Sequence, residues 1–126
     1  MKELRRKPTD AELAILRVLW TRGPSTVRQI AEVMDREDGY TTIWKLLQIM
    51  TEKRLVVRDE TARTHVYEPA YTEDQTQRQL VTDLVDRVFD GSAAKLVLQA
   101  LAATKASPEE LEEIRALLAT KTGGHR

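Results

Sequence analysis

Leu13, Leu16 and Trp20 recur at helical spacing, joined by Ile15 and Leu19. Just before them, Thr9-Asp10-Ala11-Glu12 reads as a capping box. The Thr9 hydroxyl and the Glu12 carboxylate would each accept a backbone N–H that the first turn leaves unpaired. Gly23-Pro24 stops this first helix. A second cap, Thr26-Val27-Arg28-Gln29, opens a short helix whose buried stripe is Val27, Ile30, Ala31 and Met34. The polar stretch Asp35-Arg36-Glu37-Asp38-Gly39 ends in glycine and predicts a turn. A third helix is predicted from near Tyr40 to about Lys53, with Ile43, Leu46, Leu47 and Met50 at i, i+3, i+4 and i+7. Leu55-Val56-Val57-Arg58 and His65-Val66-Tyr67 are short β-prone runs on either side of a polar tip, a hairpin closed by Pro69.

From Thr72 onward the pattern is helical only. Thr72-Glu73-Asp74-Gln75 is a third capping box, followed by Leu80, Val81, Leu84, Val85, Val88 and Phe89. Gly91-Ser92 breaks and recaps the chain, and Leu96, Val97, Leu98, Leu101 and Ala102 continue it. Ser107-Pro108-Glu109-Glu110 is a cap with proline in the first helical position, introducing Leu111, Ile114, Leu117 and Leu118. The tail from Thr122 to Arg126 is expected to fray. The expected fold class is mainly α with a small β-hairpin: a winged helix-turn-helix over residues 1–71, then a helical dimerisation region over 72–126.

Helix, short helix, turn, helix, hairpin is the order of a winged helix-turn-helix, whose third helix would enter a DNA major groove. At about 100° per residue, Thr41, Lys45, Gln48 and Glu52 point away from the apolar stripe, with Thr42, Trp44 and Ile49 on its flanks. Hydroxyls, an amide and an ammonium are groups that hydrogen-bond base edges or phosphates. A polar outward face is also what any surface helix shows. Trp44 has a second reading as a core or helix-packing residue. Ile49 could meet a thymine methyl or lie on the first helix. Arg58 and Arg63 flank the hairpin tip, where they would meet phosphates or simply be solvated; His65 reads as a strand-surface residue. The basic run Arg5-Arg6-Lys7 fits either a phosphate contact or a mobile tail.

The C-terminal helices carry leucine stripes that each need a partner, and three helices of this size cover them poorly alone. A second copy of the chain would cover them and duplicate the reading head. The expected interface is Phe89, Leu96, Leu101, Leu111, Ile114, Leu117 and Leu118. Charge permits this reading without demanding it. The net charge is zero, divided as +2 over residues 1–71 and −2 over 72–126. Doubling the head would multiply the phosphate contacts that a chain of no net charge needs.

The 126 residues, 41% of them hydrophobic and 32% charged, suffice for one small domain with a helical appendage. No cysteine occurs, so disulfides and thiolate metal sites are excluded. No apolar run approaches the roughly 20 residues of a membrane span, and no apolar segment follows the basic start as a signal peptide requires. A cytoplasmic protein without metal or cofactor is expected. An enzyme is not: the two histidines fall in the hairpin and the tail, and neither a phosphate-cradling glycine loop nor a metal-ligand cluster occurs.

Tyr40-Thr41-Thr42-Ile43-Trp44-Lys45-Leu46-Leu47, then Lys53, Leu55-Val56 and Tyr67-Glu68-Pro69, resemble the penicillinase-repressor family of the BlaI/MecI type. So do Glu12-Leu13 through Leu19-Trp20 and Val88-Phe89-Asp90-Gly91-Ser92, and the resemblance runs from about Thr9 to Leu118. It implies a dimeric winged-helix repressor on a palindromic operator in double-stranded DNA, with intertwined C-terminal helices. By position it implies DNA contacts from Thr41, Thr42, Trp44, Lys45 and Gln48, and from Arg58 and Arg63 on the wing. The chain departs from the family where many relatives have Arg for Ile49, Thr for Lys45 and Gly for Arg54. In lactam-responsive relatives a regulatory protease cuts an Asn-Phe bond. The matching position here is Gln99-Ala100, which does not carry those residues. Copper-responsive relatives use C-terminal cysteines, which this chain lacks. Two rival readings are a winged-helix regulator of the PadR or MarR type with a small-molecule effector, and a winged helix that binds only protein.

Overall fold

The computed structural model describes residues 7–34 and 39–123. The expected turn at Asp35 to Asp38, the basic Arg5 and Arg6 and the last three residues of the tail lie outside them. Six helices and one two-stranded sheet follow in the order α1 (Asp10–Arg22), α2 (Val27–Met34), α3 (Gly39–Glu52), β1 (Val56–Asp59), β2 (Val66–Pro69), α4 (Glu73–Val88), α5 (Ala93–Ala103) and α6 (Pro108–Gly123). This is the expected class, mainly α with a β-hairpin in the position of a wing. α6 runs through Thr122 and Gly123, which were expected in the frayed tail.

The caps form as their residue types require. The Thr9 hydroxyl accepts the Glu12 N–H at 3.2 Å and the Glu12 carboxylate accepts the Thr9 N–H at 2.9 Å. Reciprocal pairs also open α2, between Thr26 and Gln29, α4, between Thr72 and Gln75, and α6, between Ser107 and Glu110. The end of α3 is a Schellman turn. The Leu55 N–H donates to the Met50 carbonyl at 2.9 Å and the Arg54 N–H to the Thr51 carbonyl at 3.1 Å. That turn puts Arg54 at φ 65°, a left-handed conformation in which glycine is at ease and a side chain is not. β1 and β2 are antiparallel, with Val56 opposite Pro69, Val57 opposite Glu68, Arg58 opposite Tyr67 and Asp59 opposite Val66. The strands start and end one or two residues later than the β-prone runs; β1 starts at Val56 because the Leu55 N–H is already used to close α3, while the Leu55 carbonyl accepts the Ala70 N–H at 2.9 Å.

The chain forms two compact units, one up to Thr82 and one from Asp83 onward, with the division inside α4. The first unit holds the core: Ile15, Leu16 and Leu19 of α1, Val27 and Ile30 of α2, Ile43, Leu47 and Met50 of α3, then Leu55, Val56 and Tyr67. Each helix contributes the stripe its periodicity marks. Ala31, Met34 and Leu46 pack against the core half-buried. Two polar ties hold this unit in register. Lys53, at the end of α3, reaches the buried Glu12 carboxylate at 2.7 Å, joining the last turn of α3 to the first turn of α1. The backbone of Tyr67 exchanges two hydrogen bonds with Ser25, just before α2, at 2.8 and 3.0 Å.

The second unit contrasts with the first. None of its described residues up to Thr122 is buried. Leu98 is 67% exposed, Val88 64%, and Leu117 and Leu118 also lie open.

Candidate nucleic-acid interface

The outer side of α3 is fixed by the side that is buried. With Ile43, Leu47 and Met50 in the core, Thr41 and Lys45 are exposed, and Thr42 and Gln48 lie half-buried at the margins. Trp44 and Ile49 are each 46% exposed. Neither is a core residue, so two of the flanking apolar side chains are at the surface. Glu52 is exposed one turn beyond.

Trp44 and Tyr40 face a cleft of about 590 Å³ between α3, the first turn of α2 and the hairpin. Thr26, which caps α2, and Arg28 and Gln29 within it line one side, and Arg63, Thr64 and His65 of the hairpin the other. No carboxylate is among its lining residues, whereas two arginines are. Such a cleft is electrostatically suited to a polyanion. Arg63 and His65 are therefore brought beside Trp44, although the chain separates them widely. Arg28, Gln29, Tyr40 and Thr64 join the surface without having been expected there. One signal for Arg28 was available: a cation in the first turn of a helix opposes the helix dipole, so it gains nothing from the helix itself.

On the other strand, the Arg58 Nε donates to a Glu60 carboxylate oxygen at 2.6 Å and its Nη1 to the Gln48 Oε1 at 3.0 Å. The hydrogen bonds that the Arg58 guanidinium makes to the Tyr67 side chain and to Glu60 push it further above its ordinary value, so it stays charged throughout. The Gln48 Nε2 donates to the Tyr67 hydroxyl at 3.1 Å. Gln48 is thus less free than a purely outward side chain. An amide has two donors and two lone pairs, so one of each remains. At the start of the hairpin tip, the Asp59 carboxylate accepts the Thr61 N–H at 2.9 Å and its hydroxyl at 2.8 Å, which holds the carboxyl below its usual range. Those bonds favour the folded tip at neutral pH and are lost as pH falls through that lowered value.

Of the expected DNA-facing residues, Thr41, Lys45, Trp44 and Arg63 lie open and Thr42, Gln48 and Arg58 half-buried; Trp44 and Arg63 share the cleft, and Arg58 bonds to Gln48. Among the described residues no group of His, Cys, Asp and Glu could hold a metal ion. No helix there is long and apolar enough to cross a membrane.

A model of the family described as penicillinase repressor matches residues 8–120. The chain is similar to the transcriptional regulator BlaI of two Mycobacterium tuberculosis strains, with 30% identity over 119 residues, covering 92% of this chain and 86% of that protein. Among solved structures it is similar to an apo mutant of Lactococcus lactis ZitR, with a TM-score of 0.39 and 18% identity over 90% of this chain and 83% of that one. The family match spans both units, from Pro8, ahead of α1, to Thr120 in α6, and by it the chain belongs to the penicillinase repressor family of DNA-binding transcriptional regulators.

Proposed function

We propose that the chain represses transcription as a homodimer, setting α3 of each copy into successive major grooves of a palindromic operator. The observation that carries this reading is the outer side of α3. It presents Thr41, Lys45 and part of Gln48 beside a cleft with two arginines and no carboxylate. Thr41, Thr42, Trp44, Lys45 and Gln48 would read or border the bases, and Arg58 and Arg63 on the wing would meet phosphates. Residues 1–71 form the reading head and 72–126 the dimerisation region.

The second copy is supported by the uncovered apolar side chains of the C-terminal helices. Phe89, Leu96, Leu101, Leu111, Ile114, Leu117 and Leu118 form the interface, together with Val88 and Leu98, the most exposed of these hydrophobics. Two heads on a two-fold axis require half-sites about one helical turn, or a multiple of it, apart. A repressor works where the genome is, in the cytoplasm. Relief by a regulatory protease would have to open α5, because Gln99 and Ala100 lie inside it, and their side chains differ from the Asn-Phe pair.

Selection of bound fragments from genomic DNA, followed by gel shifts on the enriched duplexes, tests the proposal. Two-fold-symmetric sites with that spacing are expected. No enriched sequence, and no shifted duplex at moderate salt, would leave a winged helix that binds only protein.

A further inference from the structure

Tyr67 is tied to three parts of the reading head at once. Its backbone bonds to Ser25 ahead of α2, its strand pairs with β1 opposite Arg58, and its hydroxyl accepts the Gln48 amide from α3. The ring is 1% exposed, so the hydroxyl delivers its bond from a fixed position in the core. Arg58 anchors the other end of the same amide and is itself held by Glu60. The amide has only one sensible orientation between these anchors. Reversed, its NH₂ would face the guanidinium, donor against donor.

We propose that the Tyr67 hydroxyl and Arg58 are positioning residues for DNA recognition: they lock the Gln48 amide so that the donor and acceptor left over face the bases in one fixed order. The inference rests on the reading of α3 as the base-reading helix. A glutamine side chain free in solution has several rotamers to lose on binding and two ways to turn its amide. The relay removes both freedoms before DNA arrives. Ordering such a side chain in advance is worth roughly two- to tenfold in affinity. The gain falls only on sequences that match the fixed order, so it appears as discrimination rather than as general affinity. The relay also couples the wing to α3, because a shift of the β1–β2 register would pull Tyr67 and Arg58 off the amide together.

Tyr67→Phe removes the hydroxyl and keeps the ring in the core. Affinity is measured at one salt concentration for a duplex selected by the parent protein and for a shuffled duplex of equal length, with thermal melts to confirm folding. Affinity for the selected duplex is expected to drop roughly two- to tenfold, with the shuffled duplex unchanged. In a Gln48→Ala background, the Tyr67→Phe change is expected to add no further loss. A merely structural role would weaken both duplexes alike and add to Gln48→Ala. Arg58→Met, on the exposed side of the relay, should lower the same selected-to-shuffled ratio and carries the test if Tyr67→Phe does not fold. A folded Tyr67→Phe variant that discriminates as the parent does, or additive losses in the double variant, overturns the relay alone. A parent protein that prefers no duplex overturns the α3 reading and the relay with it.

Discussion

Lys45 and Arg54 sit nine residues apart on one stretch of chain and test opposite things. Lys45 is exposed in the middle of the outer side of α3, away from the core. Lys45→Ala should therefore leave the unfolding midpoint in place and cost about 1–3 kcal/mol of operator affinity, as for a lost base contact. Equal binding of parent and variant at matched salt would take Lys45 off the reading surface. Arg54 carries strain instead, because the Schellman turn at the end of α3 needs a left-handed residue there. A non-glycine residue in that region costs about 1–2 kcal/mol. Arg54→Gly removes the strain but loosens the unfolded chain, so a net gain of about 1 kcal/mol is expected in urea unfolding. A variant less stable than the parent would mean that the Arg54 side chain contributes more than the strain it causes. Single residues were legible from sequence where the cause is local. The Thr9–Glu12 and Thr26–Gln29 caps need only a spacing of three, and the buried stripe of α3 needs only its period. The engagement of Gln48 was not legible, since its partners Tyr67 and Arg58 are 19 and 10 residues away and meet it only through the hairpin register.

Helix ends are legible in the sequence to within a residue or two, because caps and glycines mark those ends chemically. The hairpin is less legible. Leu55 looks like the first strand residue by type, yet its N–H closes α3, and the ladder starts at Val56. No side-chain pattern records that use of a backbone donor. The wing's working side was legible only in its charges. Arg63 could be named, but not its place across the cleft from Arg28 and Trp44, which depends on how Tyr67 of the hairpin pairs with Ser25 ahead of α2. That place makes a prediction about the wing as an element. If Arg63 meets a phosphate, Arg63→Ala should weaken selected and shuffled duplexes by the same factor. It should also reduce the slope of log affinity against log salt by about 0.9 per head, or roughly 2 per dimer. An unchanged slope would make Arg63 a solvated tip residue and leave the cleft's phosphate contacts to Arg28.

At the scale of the whole molecule the question is what covers the C-terminal helices. Sequence marked their stripes, since leucines at helical spacing are a local pattern, but it could not rank the positions, since a partner's arrangement is not written in any one helix. Leu111 is 42% exposed and Leu117 56%, while Ile114 between them is half-buried. Side chains left this open on a helix capped at Ser107 are not needed to form α6. Replacing Leu111 and Leu117 with Asp should accordingly leave the helix and the first unit's core intact. In a subunit interface, however, each carboxylate would be buried without a partner, a cost that apolar contact cannot offset. The double variant is expected to halve the mass seen by light scattering while the melting of the N-terminal core is kept. Operator affinity should fall with it, because one head makes half the phosphate contacts, and the salt slope should fall toward half its value for the same reason. A variant of unchanged mass would remove Leu111 and Leu117 from the interface. A monomer that binds the operator as tightly as the parent would show that a single head suffices, and the two-fold operator would lose its physical reason.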